Sequence, residues 1–320
     1  MKAVTQHPLN AITLPNIKKN ILATLAYFDV FNYPLTRPEI FLFLENRYDS
    51  LSFYDALHCL IAEGAIYKFG DFYTLKNTIE IAERRTKGNR KAAELIGIAE
   101  KVGKLLIHFP YVRGIGISGS LSKNYADEES DIDLFIITAA NRLWIARTLM
   151  HCFKKLTFLI NKQHLFCMNY FIDEQGLEIV EKNIYTATEI ATLIPLEGDV
   201  AFAKFYSANL WTRSYLPNNC MRIASAKPVK RSAFKLFIEA LFNNSFGTFL
   251  DNQLMRITAA RWHKKSQEQK RNTRGVIMGM DANKHYAKPD PKNFQHKLID
   301  RYQNKVNQVL QQYESSLMHS

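Results

Sequence analysis

The residues best suited to chemistry in this chain are two aspartates one residue apart, Asp131 and Asp133, lying ten residues beyond a Gly119-Ser120 pair. Side chains alternate along an extended segment, so Asp131, Asp133 and Phe135 share one face while Ile132, Leu134 and Ile136 share the other. Carboxylates projecting side by side repel unless a cation sits between them. Hard oxygen ligands at this spacing suit Mg²⁺ or Mn²⁺ better than Zn²⁺. Upstream, Val112 to Ser118 reads as a short strand that breaks at Gly119. A glycine there lets backbone approach a ligand closely. The helical segment expected over Leu121 to Tyr125 would present free N–H groups to an anion such as phosphate. Ser120 can add a hydroxyl hydrogen bond, and Lys123, one turn on, a cation. The competing reading of Lys123 is a solvated helix-face lysine.

An apolar strand, Gly119-Ser120, a spacer, and Asp131-Ile132-Asp133 between apolar residues together resemble the DNA polymerase β-like nucleotidyltransferase superfamily. The resemblance covers about a tenth of the chain by motif. It implies an α+β fold with a mixed catalytic sheet, a nucleoside triphosphate (NTP) held at Gly119 and Ser120, and Mg²⁺ or Mn²⁺ held by Asp131 and Asp133. The implied reaction is an in-line displacement with two metal ions, joining a nucleoside monophosphate to a hydroxyl acceptor and releasing pyrophosphate. Active members usually supply a third carboxylate from a neighbouring strand. The candidate strand here is Leu165 to Ile172, whose central polar residue is Asn169 rather than an acid. Asp173, just beyond it, is the first choice for the third catalytic and metal-binding acid. Glu178, in an extended run from Leu177 to Val180, and Asn169 are the alternatives. Without a third acid the chain would be a nucleotide-binding regulator rather than a transferase.

These residues need elements to position them. Ile17 to Phe28 reads as an amphipathic helix. Thr36 and Glu39 form a capping box with Pro38 in the first turn, and Ser52 caps a third helix running to Glu63. Two short strands flank Gly70-Asp71, a hairpin signal. Three helices and a hairpin resemble a winged helix-turn-helix domain, assigned to residues 1–78. Its third helix carries no Lys or Arg between Ser52 and Glu63, so a structural or protein-contact role is favoured over DNA reading. A connecting helix is expected over 79–110, the nucleotidyltransferase core over 111–215, and a basic helical region over 216–320. Within the core, Arg142 to Ile160 reads as a helix with Trp144, Arg147 and His151 near one face; Arg147 could reach a nucleotide, though an ordinary salt-bridged role is favoured. Thr186 and Glu189 look like a second capping box.

Between Lys227 and Arg274 stand eleven Lys or Arg against three Asp or Glu, a large part of the chain's net charge of +12. Such a face can hold nucleic acid, with Trp262 for stacking, or be a solvated helix surface. Lys230 to Lys265 reads as helix with a possible break at Gly247, Asp281 to Asn293 as a loop, and Phe294 to Tyr313 as a final helix. No long apolar run suggests a membrane partner. The four cysteines lack paired spacing. Free thiols and the absence of a secretion signal lead to the expectation of a cytoplasmic protein.

Overall fold

The computed structural model describes residues 10–157, 167–219, 226–229, 232–270, 279–289 and 294–319. At the N-terminus, helix α1 (Asn10–Asp29) leads to strand β1 (Leu35–Thr36) and helix α2 (Arg37–Leu42). The Thr36 hydroxyl accepts from the Glu39 N–H and the Glu39 carboxylate accepts from the Thr36 N–H, closing the expected box. Helix α3 (Ser50–Ala62) starts earlier than the sequence suggests. Its cap is Asp49, whose carboxylate accepts from the Ser52 N–H, so Ser52 lies inside the first turn. Strands β2 (Tyr67–Phe69) and β3 (Phe72–Thr74) form the hairpin around Gly70-Asp71, and β1 completes a three-stranded sheet in the order β1-β3-β2.

Helix α4 (Glu80–Leu106) joins this unit to a six-stranded sheet. Part of its early basic run is structural. Arg85 is buried, donates to Glu39, Asn89 and the Pro34 carbonyl, and stacks 3.7 Å over the Tyr33 ring.

The main sheet comprises β4 (Val112–Ile117), β5 (Asp133–Thr138), β6 (Cys167–Asp173), β7 (Ile194–Glu197), β8 (Met280–Ala282) and β9 (Tyr286–Pro289), ordered β7-β4-β5-β6-β9-β8. Among these strands only β5 and β6 run parallel, and helix α6 (Leu143–Thr157) forms part of the crossover that such a pair requires. The fold is therefore α+β with a mixed sheet. One face sets Ile115, Ile117, Leu134, Ile136 and Phe171 against α4 and α6. The opposite face sets Phe135, Ile137 and Ile172 against Phe202 and Phe205 of helix α8 (Asp199–Ala208). Gly114 and Gly116 lie beneath α8; a Cβ on Gly116 would come within 2.8 Å of the Phe202 ring. That contact explains the Gly-x-Gly pattern of β4.

Several elements depart from expectation. Leu177 to Val180 is not a strand; the edge of β6 is taken by β9, from the stretch read as a loop. The predicted long helix beyond residue 230 divides into α9 (Ala233–Phe242) and α10 (Ser245–Gln267). The break falls at Asn243-Asn244. Gly247 lies inside α10, where any Cβ would strike the Phe242 carbonyl oxygen at 1.8 Å. The last helix, α11 (Phe294–His319), packs on α1 rather than standing in a separate basic region. Tyr313 joins the N-terminal core, its hydroxyl donating to Glu63, and Lys19 pairs with Glu314.

Asp251 of α10 ties that helix to α6, accepting from the Ile145 N–H at 2.8 Å while 2% exposed. Burial raises its pKa from the ordinary 3.8 to about 6, against the lowering effect of hydrogen bonds from Ile145 and Trp144. A raised carboxylate pKa favours the fold at low pH, and that contribution is lost as pH rises from about 4 through about 6. Asp251→Asn should therefore gain melting temperature relative to wild type across this window and hold a constant difference above it. Parallel melting curves at every pH would show that Asp251 does not titrate in this way.

Candidate functional site

The two aspartates lie where β5 begins. Ile132 and Leu134 are buried, whereas Asp131 and Asp133 are half-buried; Asp133 opens β5 and Asp131 precedes it, outside the lining of the adjoining cavity. Gly119 forms the turn after β4 at φ +70°, and a Cβ there would lie 2.7 Å from Asp133 Oδ2. The Ser118 N–H donates to the Asp133 carbonyl at 2.9 Å, stitching the turn to the strand.

This junction opens into a cavity of about 490 Å³. Ser118, Gly119 and Asp133 line one part; Phe135, Tyr170 and Phe205 supply aromatic walls. Helix α7 (Ile184–Thr192) contributes Tyr185, Thr186 and Glu189, while Glu181, Asp281 and Lys288 close a further side, with Phe294 to His296 of α11 nearby. Lys288 hydrogen-bonds Glu181 and lies 3.6 Å from Asp281. Burial works against ionisation of Glu181, but the Lys288 hydrogen bond and charge outweigh it and hold its pKa below the usual range. Tyr185 is pushed well above the ordinary phenol range by burial and then by the charge of Glu189. It remains protonated at neutral pH.

The other sequence candidates fall elsewhere. Helix α5 (Gly119–Ser122) is a single turn, shorter than expected, and Ser120 lies exposed outside the cavity lining. Lys123 does not project into the cavity. Its ammonium donates to the Gly119 carbonyl at 3.1 Å and to Glu189 at 2.6 Å, so it braces the turn and the cavity wall together. Glu189 is accordingly a wall residue, not a cap; Asn183 caps α7 by accepting from the Thr186 N–H. Arg147 has no carboxylate partner among the described residues and lies against the rings of Trp144 and Phe171.

Asp173 cannot complete a metal site with Asp131 and Asp133. In the parallel register Asp133 pairs with Cys167 and Thr138 with Asp173, which puts Asp173 five residues, roughly 16 Å, along the sheet. It is fully buried there, accepting from the N–H groups of Asn141, Gln175 and Gly176 and contacting His285 Nδ1 at 3.0 Å. Asp173→Asn is expected to cost roughly 3 kcal/mol of stability by weakening these charge-assisted bonds, with no specific loss of activity per folded molecule. A selective activity loss at unchanged melting temperature would contradict this placement. Glu178 is also excluded from the cavity, pairing with Lys182 at 2.6 Å. The side chain of Asn169 lies outside the described residues.

Asp133 at the start of β5 and Asp131 two residues before it could hold a divalent ion only if phosphate oxygens supplied its remaining ligands, the usual arrangement for Mg²⁺. They do not make an all-protein cage: among the described residues no three His, Cys, Asp or Glu side chains converge on a metal position. The basic region is only partly available. Lys235 is buried, donating to the carbonyls of Ile107 and Val112, whereas Arg256, Arg261, Lys264 and Lys270 are exposed on or just beyond α10. Cys59 and Cys152 are free thiols, and Cys220 lies outside the described residues. No described helix is long and apolar enough to cross a membrane.

No family model, curated protein or solved structure matches the chain.

Proposed function

We propose that this protein is a polymerase β-like nucleotidyltransferase that moves a nucleoside monophosphate from an NTP to a hydroxyl acceptor. The observation that carries the reading is the close packing of the Gly119 turn on the Asp133 carboxylate at the mouth of the cavity. Open backbone at a positive φ beside a carboxylate accommodates a phosphate chain and its counter-ion within one strand–turn–strand unit. Asp131 and Asp133 would hold Mg²⁺ or Mn²⁺, which would supply charge for the triphosphate and the departing pyrophosphate. Gly119 would admit the phosphates, while Lys123 fixes the turn by its bond to the Gly119 carbonyl. The acceptor oxygen would attack the α-phosphorus, and the bond to the bridging oxygen would break with its electron pair leaving on pyrophosphate. The hydroxyl proton would pass through a cavity carboxylate to solvent. The winged-helix-like unit would serve as a structural or protein-contact module.

A second reading, nucleotide binding without transfer, is favoured by the lack of a third acid beside Asp131 and Asp133 among the described residues. Pyrophosphate release from each of the four NTPs with Mg²⁺ or Mn²⁺, with and without cellular RNA, separates the two. Release that vanishes in the Asp131→Asn/Asp133→Asn variant supports transfer. Nucleotide binding without release from NTPs, across RNA and small hydroxyl acceptors, supports the second reading.

A further inference from the structure

The full chain carries a net charge of +12, which by itself points to anionic partners. Its cavity has the opposite character. Apart from Asp133, assigned above to the ion, Glu181, Glu189 and Asp281 outnumber the single lining lysine, Lys288, three to one. Lys288 is shared between Glu181 and Asp281, and Lys123 sits behind Glu189. Even with both lysines counted, carboxylates remain in excess. An NTP has strongly negative phosphates, so the side formed by Glu181 and Asp281 disfavours the phosphate tail, which the Gly119 turn would accept.

The remaining lining suits a different molecule. Phe135, Tyr170, Tyr185 and Phe205 present aromatic surface in the same space. Aromatic rings attract cations through their negative faces, most strongly where water is excluded, and organic ammonium groups are the usual occupants of such sites. Thr186 also lines the cavity, but its hydroxyl is turned into the protein, buried and without a hydrogen-bond partner. A cavity volume of about 490 Å³ suits a small molecule better than a polymer strand.

We infer that the cavity binds a small organic ammonium compound bearing a hydroxyl, and that this hydroxyl is the nucleotidyl acceptor. The acceptor role rests on the transfer reading above; the cation preference rests on the cavity alone. With an ammonium alcohol, the new bond joins its oxygen to the α-phosphorus, pyrophosphate leaves with the electron pair, and the hydroxyl proton reaches solvent. Glu181 and Asp281 anchor the ammonium group and the aromatic walls enclose its alkyl surface.

The test compares binding of choline and tyramine with their uncharged isosteres, 3,3-dimethyl-1-butanol and 4-propylphenol, by calorimetry on the full wild-type chain. At least one cation should bind about tenfold or more tightly than its isostere, and Glu181→Gln/Asp281→Asn should abolish that preference. Equal binding within both pairs overturns the inference without recourse to any variant, so a double variant that fails to fold does not remove the test. Pyrophosphate assays with the same compounds separate the two readings. Cation preference without release from any NTP leaves the cation site standing but removes its acceptor role. RNA-dependent release without cation preference keeps transfer and overturns the ammonium acceptor.

Discussion

Asp133→Asn is expected to reduce pyrophosphate release by at least about a thousandfold while leaving the melting temperature nearly unchanged. Metal-assisted stabilisation of transferring phosphate supplies several kcal/mol, and each 1.36 kcal/mol is tenfold in rate. Asn keeps the shape of Asp133 but removes the charge that an ion would require. Its neighbours Ile132 and Leu134 keep their places in the core beneath β4 and α6, so the strand should survive. Asp131→Asn should produce a loss of similar order, since both carboxylates belong to the same proposed clamp. Initial rates measured with saturating Mg²⁺ on variants of verified melting temperature check both. A wild-type rate in either would remove that aspartate from the chemistry.

Gly119→Ala should impair activity through geometry rather than charge. At φ +70° an alanine is strained by roughly 1–2 kcal/mol, and its Cβ would stand 2.7 Å from Asp133 Oδ2. The turn or the carboxylate must move. A displacement of about 1 Å at a reacting centre can cost about a hundredfold in rate, which is the expected loss. Gly70→Ala is the matched control. Its φ is also positive, at +58°, but no atom lies within 4 Å of the added Cβ. It should show the strain in denaturant unfolding and retain full activity. Equal activity in the two variants would separate the Gly119 turn from the site.

The local parts of this architecture were legible because the decisive contacts lie close in sequence. Alternation around Asp133 marks β5, Thr36 and Glu39 close their box across three residues, and Gly70-Asp71 turns a two-residue hairpin. The third acid was misplaced for want of register. The Asp133–Cys167 pairing, with a shift before Tyr170, carries Asp173 to the far end of the sheet. Its partner His285 is 112 residues away, a separation that no local pattern encodes. Strand β7 is short and contains Pro195, tolerable because β7 forms an edge of the sheet. Glu189 followed Thr186 by three residues and resembled a capping partner, whereas its carboxylate is held by Lys123 from another element. The cavity could not be anticipated because the loop assigned to Asp281–Asn293 contains β9, which carries Lys288 to its wall.

The docking of α11 on α1 affects how the chain is made as well as how it rests. The Lys19–Glu314 hydrogen bond spans 295 residues, and Tyr313 helps to fill the core begun by Ile21 and Leu25. A polypeptide leaving the ribosome therefore exposes the first three helices long before the last one emerges to cover them. Loop closure over such a distance adds only a slowly growing entropic cost, but it delays the contact until α11 has been made. The unit built on α1 is thus finished only after α11 is made, and until then the apolar surface that Tyr313 covers stays open in the nascent chain.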